Sequence, residues 1–137
     1  MFVKAFDSVH RSKLFDILYR NGIRGKLFSA VRNIYQTVKA HVRNRNEISN
    51  VFECPVGLRQ GCNLSPILFA LFINELESTI ANSGCHGIQL HPDIVQVFLL
   101  MFADDVALMA DTVKDLQIQL NALQTYCEQF KLQVNIE

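Results

Sequence analysis

Two aspartates, Asp104 and Asp105, stand side by side in the otherwise apolar stretch FLLMFADDVALMA, which runs from Phe98 to Ala110. An isolated carboxylate is costly to bury, and an adjacent pair more so, which places the two at a rim that solvent or a cation reaches. Consecutive strand residues point to opposite faces. Both acids can therefore serve one site only where the backbone bends. A hard divalent cation takes oxygen ligands and offsets carboxylate repulsion, and Mg²⁺ is bound typically through one or two carboxylates plus substrate phosphates. This is the chemistry of phosphoryl and nucleotidyl transfer, with two metals about 3.5–4 Å apart activating a hydroxyl and holding the leaving oxygen. The alternative is a pair of solvated acids in a turn, where Asp is a favoured residue.

The other candidate ligands are sparse. Cys54, Cys62, Cys85 and Cys127 form no CxxC pair, and CHGIQLH (Cys85, His86, His91) is at most half a zinc site. Reduced thiols of an intracellular protein are the simpler reading. The chain has 137 residues, of which 50% are hydrophobic and 19% charged, the composition of one globular domain rather than a disordered segment. PILFALFI and VFLLMFA are too short to cross a bilayer, and Met1 does not open a signal peptide. The net charge is zero, but Met1–Arg59 holds eleven Lys/Arg against four Asp/Glu, and the remainder holds two against nine. An anionic ligand on the first half and cations on the second would suit that division, as would solvated helix faces.

The elements that must position the acids follow from periodicity. FVKAF (Phe2–Phe6) reads as a short strand. A helix follows, capped by Asp7 or Ser8 and ended by Gly22. Leu27, Phe28, Val31, Ile34, Tyr35 and Val38 form a second helical stripe. VKAHVRN and ISNVFECPVG read as paired strands around the turn RNRNE. Ser65-Pro66 has the form of a serine cap followed by proline at the first helical position, and ILFALFI, apolar all round, predicts burial on every side. IVQVFLLMF reads as a central strand, VALMA as its hairpin partner with the acids at the bend, and Thr112 with Asp115 as a capping box. Val113, Leu116, Leu120, Leu123, Cys127 and Phe130 form the inner face of the helix it opens. LQVNI is the last strand. The order β-α-α-β-β-α-β-β-α-β predicts an α+β fold with a largely antiparallel sheet and helices on one face.

Four blocks, in order, carry a resemblance. MFADDVAL resembles the [Y/F]-x-D-D box of reverse transcriptases, in the F-A-D-D form of the non-LTR (LINE-like) retrotransposons. GLRQGCNLSP (Gly57–Pro66) is similar to the family's nucleotide- and template-contacting motif. KAFDSVHR (Lys4–Arg11) is similar to the end of the motif that carries another catalytic aspartate. LNALQTYCEQFKLQVNIE is similar to the helix-strand element after the active-site hairpin. The resemblance covers nearly the whole chain and implies a polymerase palm that uses Mg²⁺ (or Mn²⁺), an RNA template with a DNA primer, and deoxynucleotides.

Residue by residue, the resemblance implies that Asp104 is the principal metal-bridging acid and Asp105 its supporting neighbour. Phe102 takes the place of the commoner tyrosine, with Ala103 beside it at the nucleotide. Phe6 falls where the family has an aromatic gate against the 2′-hydroxyl; periodicity alone makes it a core phenylalanine. Gln60 would hydrogen-bond near the incoming nucleotide, and Gly61 would let backbone approach the primer-template. Arg59 would meet a phosphate or stand as a surface arginine. Ser65 and Pro66 would contact template, with Ser65 also the helix cap. The sequence departs from the family pattern D-x-x-K-A-F-D at its first position, where MFVKAFD has Met1, and a thioether is a poor magnesium ligand. Asp7 lies past the strand and reads as a helix cap. The expectation is a partial palm without fingers or thumb, weak or inactive as an isolated polypeptide; the alternative is a non-catalytic retroelement relic that binds nucleic acid through its basic half.

Overall fold

The structure, a computed structural model, describes residues 2–91 and 96–135. Met1, and with it the expected loss of a metal ligand, lies outside the described residues, as do the start of the predicted strand at Ile94 and the end of LQVNI at Ile136. The elements run α1 (Arg11–Arg20), α2 (Gly25–Gln36), β1 (Lys39–Ala40), β2 (Arg43–Asn44), β3 (Glu47–Ile48), β4 (Phe52–Glu53), α3 (Ser65–Ile73), α4 (Glu75–Ala81), β5 (Leu99–Phe102), β6 (Asp105–Leu108) and α5 (Val113–Phe130). Helices and antiparallel strands are both present, as the α+β expectation requires. Among the described residues, however, the strands pair as three separate two-stranded ladders, β1–β4, β2–β3 and β5–β6, rather than as one sheet.

Phe2–Phe6 accounts for part of that difference. Only Phe2 pairs, in an antiparallel bridge to Val134, and Val3–Ser8 forms turns. Lys4 takes a left-handed φ of 47°, and the Ser8 hydroxyl donates to Val3 O (3.1 Å) or Lys4 O (3.0 Å), so these carbonyls are satisfied inside the turn instead of by a neighbouring strand. Ser8 is thereby unavailable as a cap. Helix α1 begins after His10 with no side-chain cap, which corrects the expectation for Asp7 and Ser8. Likewise LQVNI contributes one bridge, with Val3 N donating to Gln133 O at 2.8 Å.

The core lies where the helices meet. Leu14, Ile17 and Leu18 of α1, Tyr35 of α2, Phe72 of α3, Leu76 and Ile80 of α4 and Tyr126 of α5 are fully buried. Tyr126 stacks on Phe130 with ring centroids 4.3 Å apart, and its hydroxyl donates to Phe72 O at 2.9 Å. Burial pushes that phenol above its ordinary pKa. Helix α3 is not covered all round: Ile67 is 59% exposed. The stripe of α2 is likewise only half used, with Val31 and Tyr35 buried and Leu27 and Ile34 exposed. On α5 the buried face is Gln119, Leu123, Tyr126, Cys127 and Phe130, whereas Val113 is 87% exposed. Leu116 and Leu120 line a cavity of about 290 Å³ with Phe2, Val106 and Leu108.

Arg11 ties these layers together. It is 8% exposed and has no carboxylate partner among the described residues. Its Nε donates to Gly57 O (2.9 Å), Nη1 to Tyr35 O (3.1 Å) and Cys54 O (2.6 Å), and Nη2 to Val56 O (3.0 Å). Four main-chain carbonyls, from the end of α2 and the segment after β4, thus converge on one guanidinium.

The capping box at α5 is present: Thr112 Oγ1 accepts from Asp115 N at 3.0 Å. The Asp115 carboxylate also accepts from the Thr112 hydroxyl and from His86 N (2.9 Å), and these bonds hold its pKa below the usual carboxylate value. A depressed carboxylate contributes stability above its unfolded pKa, and that contribution is lost as pH falls through the folded one. Thr112→Ala is expected to cost about 1 kcal/mol in urea unfolding at neutral pH. The same substitution removes the first cause of the Asp115 shift, so the stability this carboxylate loses on acidification should be smaller than in the parent chain and its loss complete at a higher pH. Arg11→Ala strands four carbonyls and is expected to cost at least about 3 kcal/mol in the same measurement.

Candidate functional site

The acid pair sits on the β5–β6 hairpin. Register pairs Phe102 with Asp105, so Ala103 and Asp104 form a two-residue loop. Ala103 carries the positive φ (53°) that such a tight reversal demands at its first position. The expected bend is therefore at Asp104, and Asp105 is already the first residue of β6. Directly opposed residues share a face, so Asp105 projects on the side of Phe102, Leu100 and Ala107, all exposed. Phe102 is 84% exposed and Leu100 59%. Met101 and Val106 occupy the other, half-buried face. The expectation of a central strand apolar on both sides is thus corrected in part: among the described residues Val97 makes one bridge to Ile88, β5 pairs with β6, and one face of β5 is open. Asp104 is half-buried and its carbonyl accepts from Phe2 N at 3.4 Å, bringing the start of FVKAF beside the hairpin tip.

The second part of the site is a cleft of about 340 Å³ lined by Phe6, Arg59, Gln60, Gly61, Ser65 and Pro66, with Cys62 and Asn63. Residues chosen for their motif thus share one concavity. Leu58 N donates to Phe6 O (2.8 Å) and Gly57 N to Val9 O (2.9 Å), joining the GLRQG loop to the KAFD turn. Gly57 has φ 89°, and a Cβ there would stand 3.0 Å from Asp7 O, so conformation and space both demand glycine. Gly61 has φ 80° with open space around it, so its requirement is conformational and its surroundings admit a ligand. Gln60 Nε2 donates to Asp7 Oδ1 at 3.0 Å, which gives Asp7 a task other than capping. The Cys62 thiol is held below its ordinary pKa, chiefly by the Leu64 backbone N–H.

Phe6 joins this cleft to the hairpin. Its ring stacks on Phe69 (centroids 4.8 Å apart, 21° between planes) and remains half-buried. It lines both the first cleft and a neighbouring one of about 230 Å³ shared with Pro66, Asn74, Met101 and Ala103. Phe6 is therefore packed on the core along one side and open to the clefts on another.

Ser65 differs from its expected role as a cap. Leu64 is the N-cap of α3 and makes no side-chain cap bond. Ser65 is 2% exposed; its Oγ donates to Arg59 O at 2.6 Å and lies 2.8 Å from the Tyr35 hydroxyl. The hydroxyl locks the loop to α2 instead of closing its own helix.

Sequence reasoning missed Arg11 and Tyr35 as supports of this loop. Arg11 is three residues before Leu14 and seven before Leu18, on the buried stripe of α1, and a cation on an apolar stripe was the available signal. The CHGIQLH segment does not build a metal site: His86 Nδ1 lies 3.3 Å from Asp115 Oδ1, the Cys85 thiol donates to Ile80 O, and no cluster of three potential His, Cys, Asp or Glu ligands occurs among the described residues. No helix among them is long and apolar enough to cross a membrane.

The acid hairpin and the glycine-bearing loop thus stand on either side of Phe6. The family model described as reverse transcriptase (RNA-dependent DNA polymerase) matches residues 2–137, and the chain belongs to that family, in its non-LTR retrotransposon branch. It is 29% identical over 134 residues to the retrovirus-related Pol polyprotein from type-2 retrotransposable element R2DM of Drosophila melanogaster, covering 98% of this chain and 12% of that protein. Similar Pol polyproteins from type-1 retrotransposable elements R2 occur in Nasonia vitripennis (26% identical, 88% of this chain, 11% of that protein) and Popillia japonica (28%, 93% and 20%). The chain thus spans between 11% and 20% of the length of these relatives.

The two readings of Ser65 separate in one experiment. A cap accepts Asp without loss, whereas a bridging hydroxyl in a buried position does not. Ser65→Asp is expected to lower the unfolding free energy by more than about 2 kcal/mol in urea titration, and an unchanged midpoint would restore the cap.

Proposed function

We propose that these residues form part of the palm of an RNA-directed DNA polymerase, which adds deoxynucleotides to a DNA primer on an RNA template. The observation that carries this reading is the cleft at Phe6, Arg59, Gln60 and Gly61, whose neighbour reaches Ala103 beside Asp104. Asp104 and Asp105 supply hard oxygen donors of the kind Mg²⁺ or Mn²⁺ takes, in the number a magnesium site commonly uses alongside substrate phosphates. The bound cations would supply activation of the primer hydroxyl and stabilisation of the leaving oxygen.

The chain's own residues would do the rest. Arg59 offers charge-assisted hydrogen bonds to a phosphate. Gln60, held by Asp7 through its amide nitrogen, keeps its carbonyl oxygen as an acceptor for a nucleotide. Phe6, braced by Phe69, would meet a 2′-hydroxyl as a rigid wall, which selects deoxynucleotides by shape. Pro66 is exposed at the start of α3 and would touch template, with Ser65 fixing the loop from beneath. In this reading the fingers and thumb come from protein outside these residues. With methionine at the position of the family's first aspartate, a polypeptide of these 137 residues alone would extend primers weakly or not at all.

Calorimetric titration of Mg²⁺ with a deoxynucleoside triphosphate tests the site. Asp104→Asn is expected to weaken binding at least tenfold, and binding unchanged by that substitution would overturn the assignment. In primer extension, Met1→Asp placed behind a new initiator should raise product above the parent chain. Equal, metal-dependent extension by the parent and by Asp104→Asn would count against the reading.

A further inference from the structure

Helix α5 turns a polar residue inward. Gln119 begins the buried seam that continues through Leu123, Tyr126, Cys127 and Phe130, and it is fully buried. Its Nε2 donates to Met109 O at 2.8 Å, and its Oε1 has no hydrogen-bond partner among the described residues. The reversed amide would set two oxygens against each other, so the orientation is fixed. A buried amide oxygen without a partner is costly. An apolar side chain would avoid that cost here and would forfeit the bond to Met109.

That bond falls at one foot of the acid hairpin. Met109 follows β6, and its N–H donates at 2.9 Å to the carbonyl of Phe98, just before β5. The other foot is tied to the same helix. One turn before Gln119, the Asp115 carboxylate accepts from His86 N at 2.9 Å. Beyond His86, Ile88 and Val97 exchange both main-chain hydrogen bonds (2.9 and 3.0 Å) in an antiparallel bridge, and Val97 leads into β5. Gly87 packs so closely on this bridge that a Cβ would come within 2.6 Å of Val97 O. Asp115 and Gln119 are four residues apart and so stand on one face of the helix. From that face α5 holds the entry to β5 through His86 and Ile88, and the exit from β6 through Met109.

We propose that Gln119, working with Asp115, is a positioning residue for the acid pair: it clamps the feet of the β5–β6 hairpin to α5 and so sets where Asp104 and Asp105 stand. The inference rests on the polymerase reading and deepens it by naming what aims the metal-binding acids. Gln119 touches neither nucleotide nor metal and acts through the hairpin alone. The ladder from feet to tip is only four residue pairs long, from Leu99 and Leu108 to Phe102 and Asp105. Its outer face is open, and the main-chain tie at its tip, from Phe2 N, is long at 3.4 Å. A displacement at the feet therefore reaches the acids with little to oppose it.

Amide NMR spectra of the isotopically labelled 137-residue chain read the placement of the acids without any ligand. Gln119→Met keeps the length of the side chain and drops both the donor and the unpaired oxygen. It should displace the Ala103, Asp104 and Asp105 resonances and speed hydrogen exchange of the β5–β6 amides about tenfold. Ile17→Val, a mild truncation in the core of α1, should move neither. Gln119→Glu supplies the rescue, because a protonated carboxyl donates to Met109 O and an ionised one cannot. Burial raises a glutamate's pKa, so lowering the pH from about 8.5 to about 6 should return that variant's hairpin resonances to those of the parent followed over the same range. Unmoved acid resonances in Gln119→Met would overturn the proposal, as would equal displacement by Ile17→Val or a glutamate variant with no return on acidification. Calorimetry with Mg²⁺ and a deoxynucleoside triphosphate is read separately. There Gln119→Met should weaken binding about tenfold, the loss expected on removing an outer support of a metal site. Resonances that move while binding stays unchanged would overturn the positioning role. A parent chain that binds no nucleotide would sink the polymerase reading, while the spectra still decide whether the clamp places the acids.

Discussion

One buried guanidinium holds the molecule's working surface in place. Arg11 gives up water and has no counter-ion among the described residues, and what replaces its hydration is a ring of main-chain carbonyls from two places in the chain. Burial lowers its pKa, yet an arginine remains charged at any ordinary pH. Carbonyls are the right partners for it: they neutralise no charge, but they accept from four of the five N–H groups that a planar fork presents, and they belong to backbone whose path matters. Lysine has no such fork. Through this one side chain the end of α2, the segment after β4 and the start of α1 take a common geometry, and the GLRQG loop begins from a fixed point.

From that fixed point the cleft is assembled by short-range bonds. Ser65 reaches Arg59 and Tyr35, Gln60 reaches Asp7, and the backbones of Gly57 and Leu58 reach Val9 and Phe6. The hairpin carrying the acids is attached differently. It touches this assembly through Phe2 at Asp104 and through Met101 and Ala103 against the Phe6 side, while its outer face is open. The two halves of the candidate site thus differ in how they are held: the loop by many polar ties, the acids by a tight turn and one apolar flank.

Motif and period made much of this legible in the sequence. The acid bend, the capping box at Thr112, the second helix and the paired strands around RNRNE all follow from local residue chemistry, and local chemistry governs them in the structure. The readings that failed share a different cause. Phe2–Phe6 alternates like a strand, but the Ser8 hydroxyl competes for its carbonyls. Ser65 has the form of a cap, but a buried tyrosine hydroxyl from a helix thirty residues earlier competes for its oxygen. Leu116 and Leu120 have helical spacing, but nothing among the described residues covers them fully. In each case a tertiary partner, or its absence, decided between two locally reasonable states, and no window of sequence contains that partner.

Gly57 also has a consequence for how the protein can change. Its α-carbon lies against the Asp7 backbone, and the neighbouring carbonyls are held by Arg11, so both feet of the β1–β4 arm are pinned to the same block. A loop whose ends are pinned pays only slowly for added length. The excursion from residue 41 to 51 can therefore lengthen, shorten or carry an inserted module without altering the register of the cleft. The architecture separates a part held in one shape from a part that is free to be edited, and the boundary between them falls at Tyr35 and at Cys54–Gly57, whose carbonyls Arg11 holds.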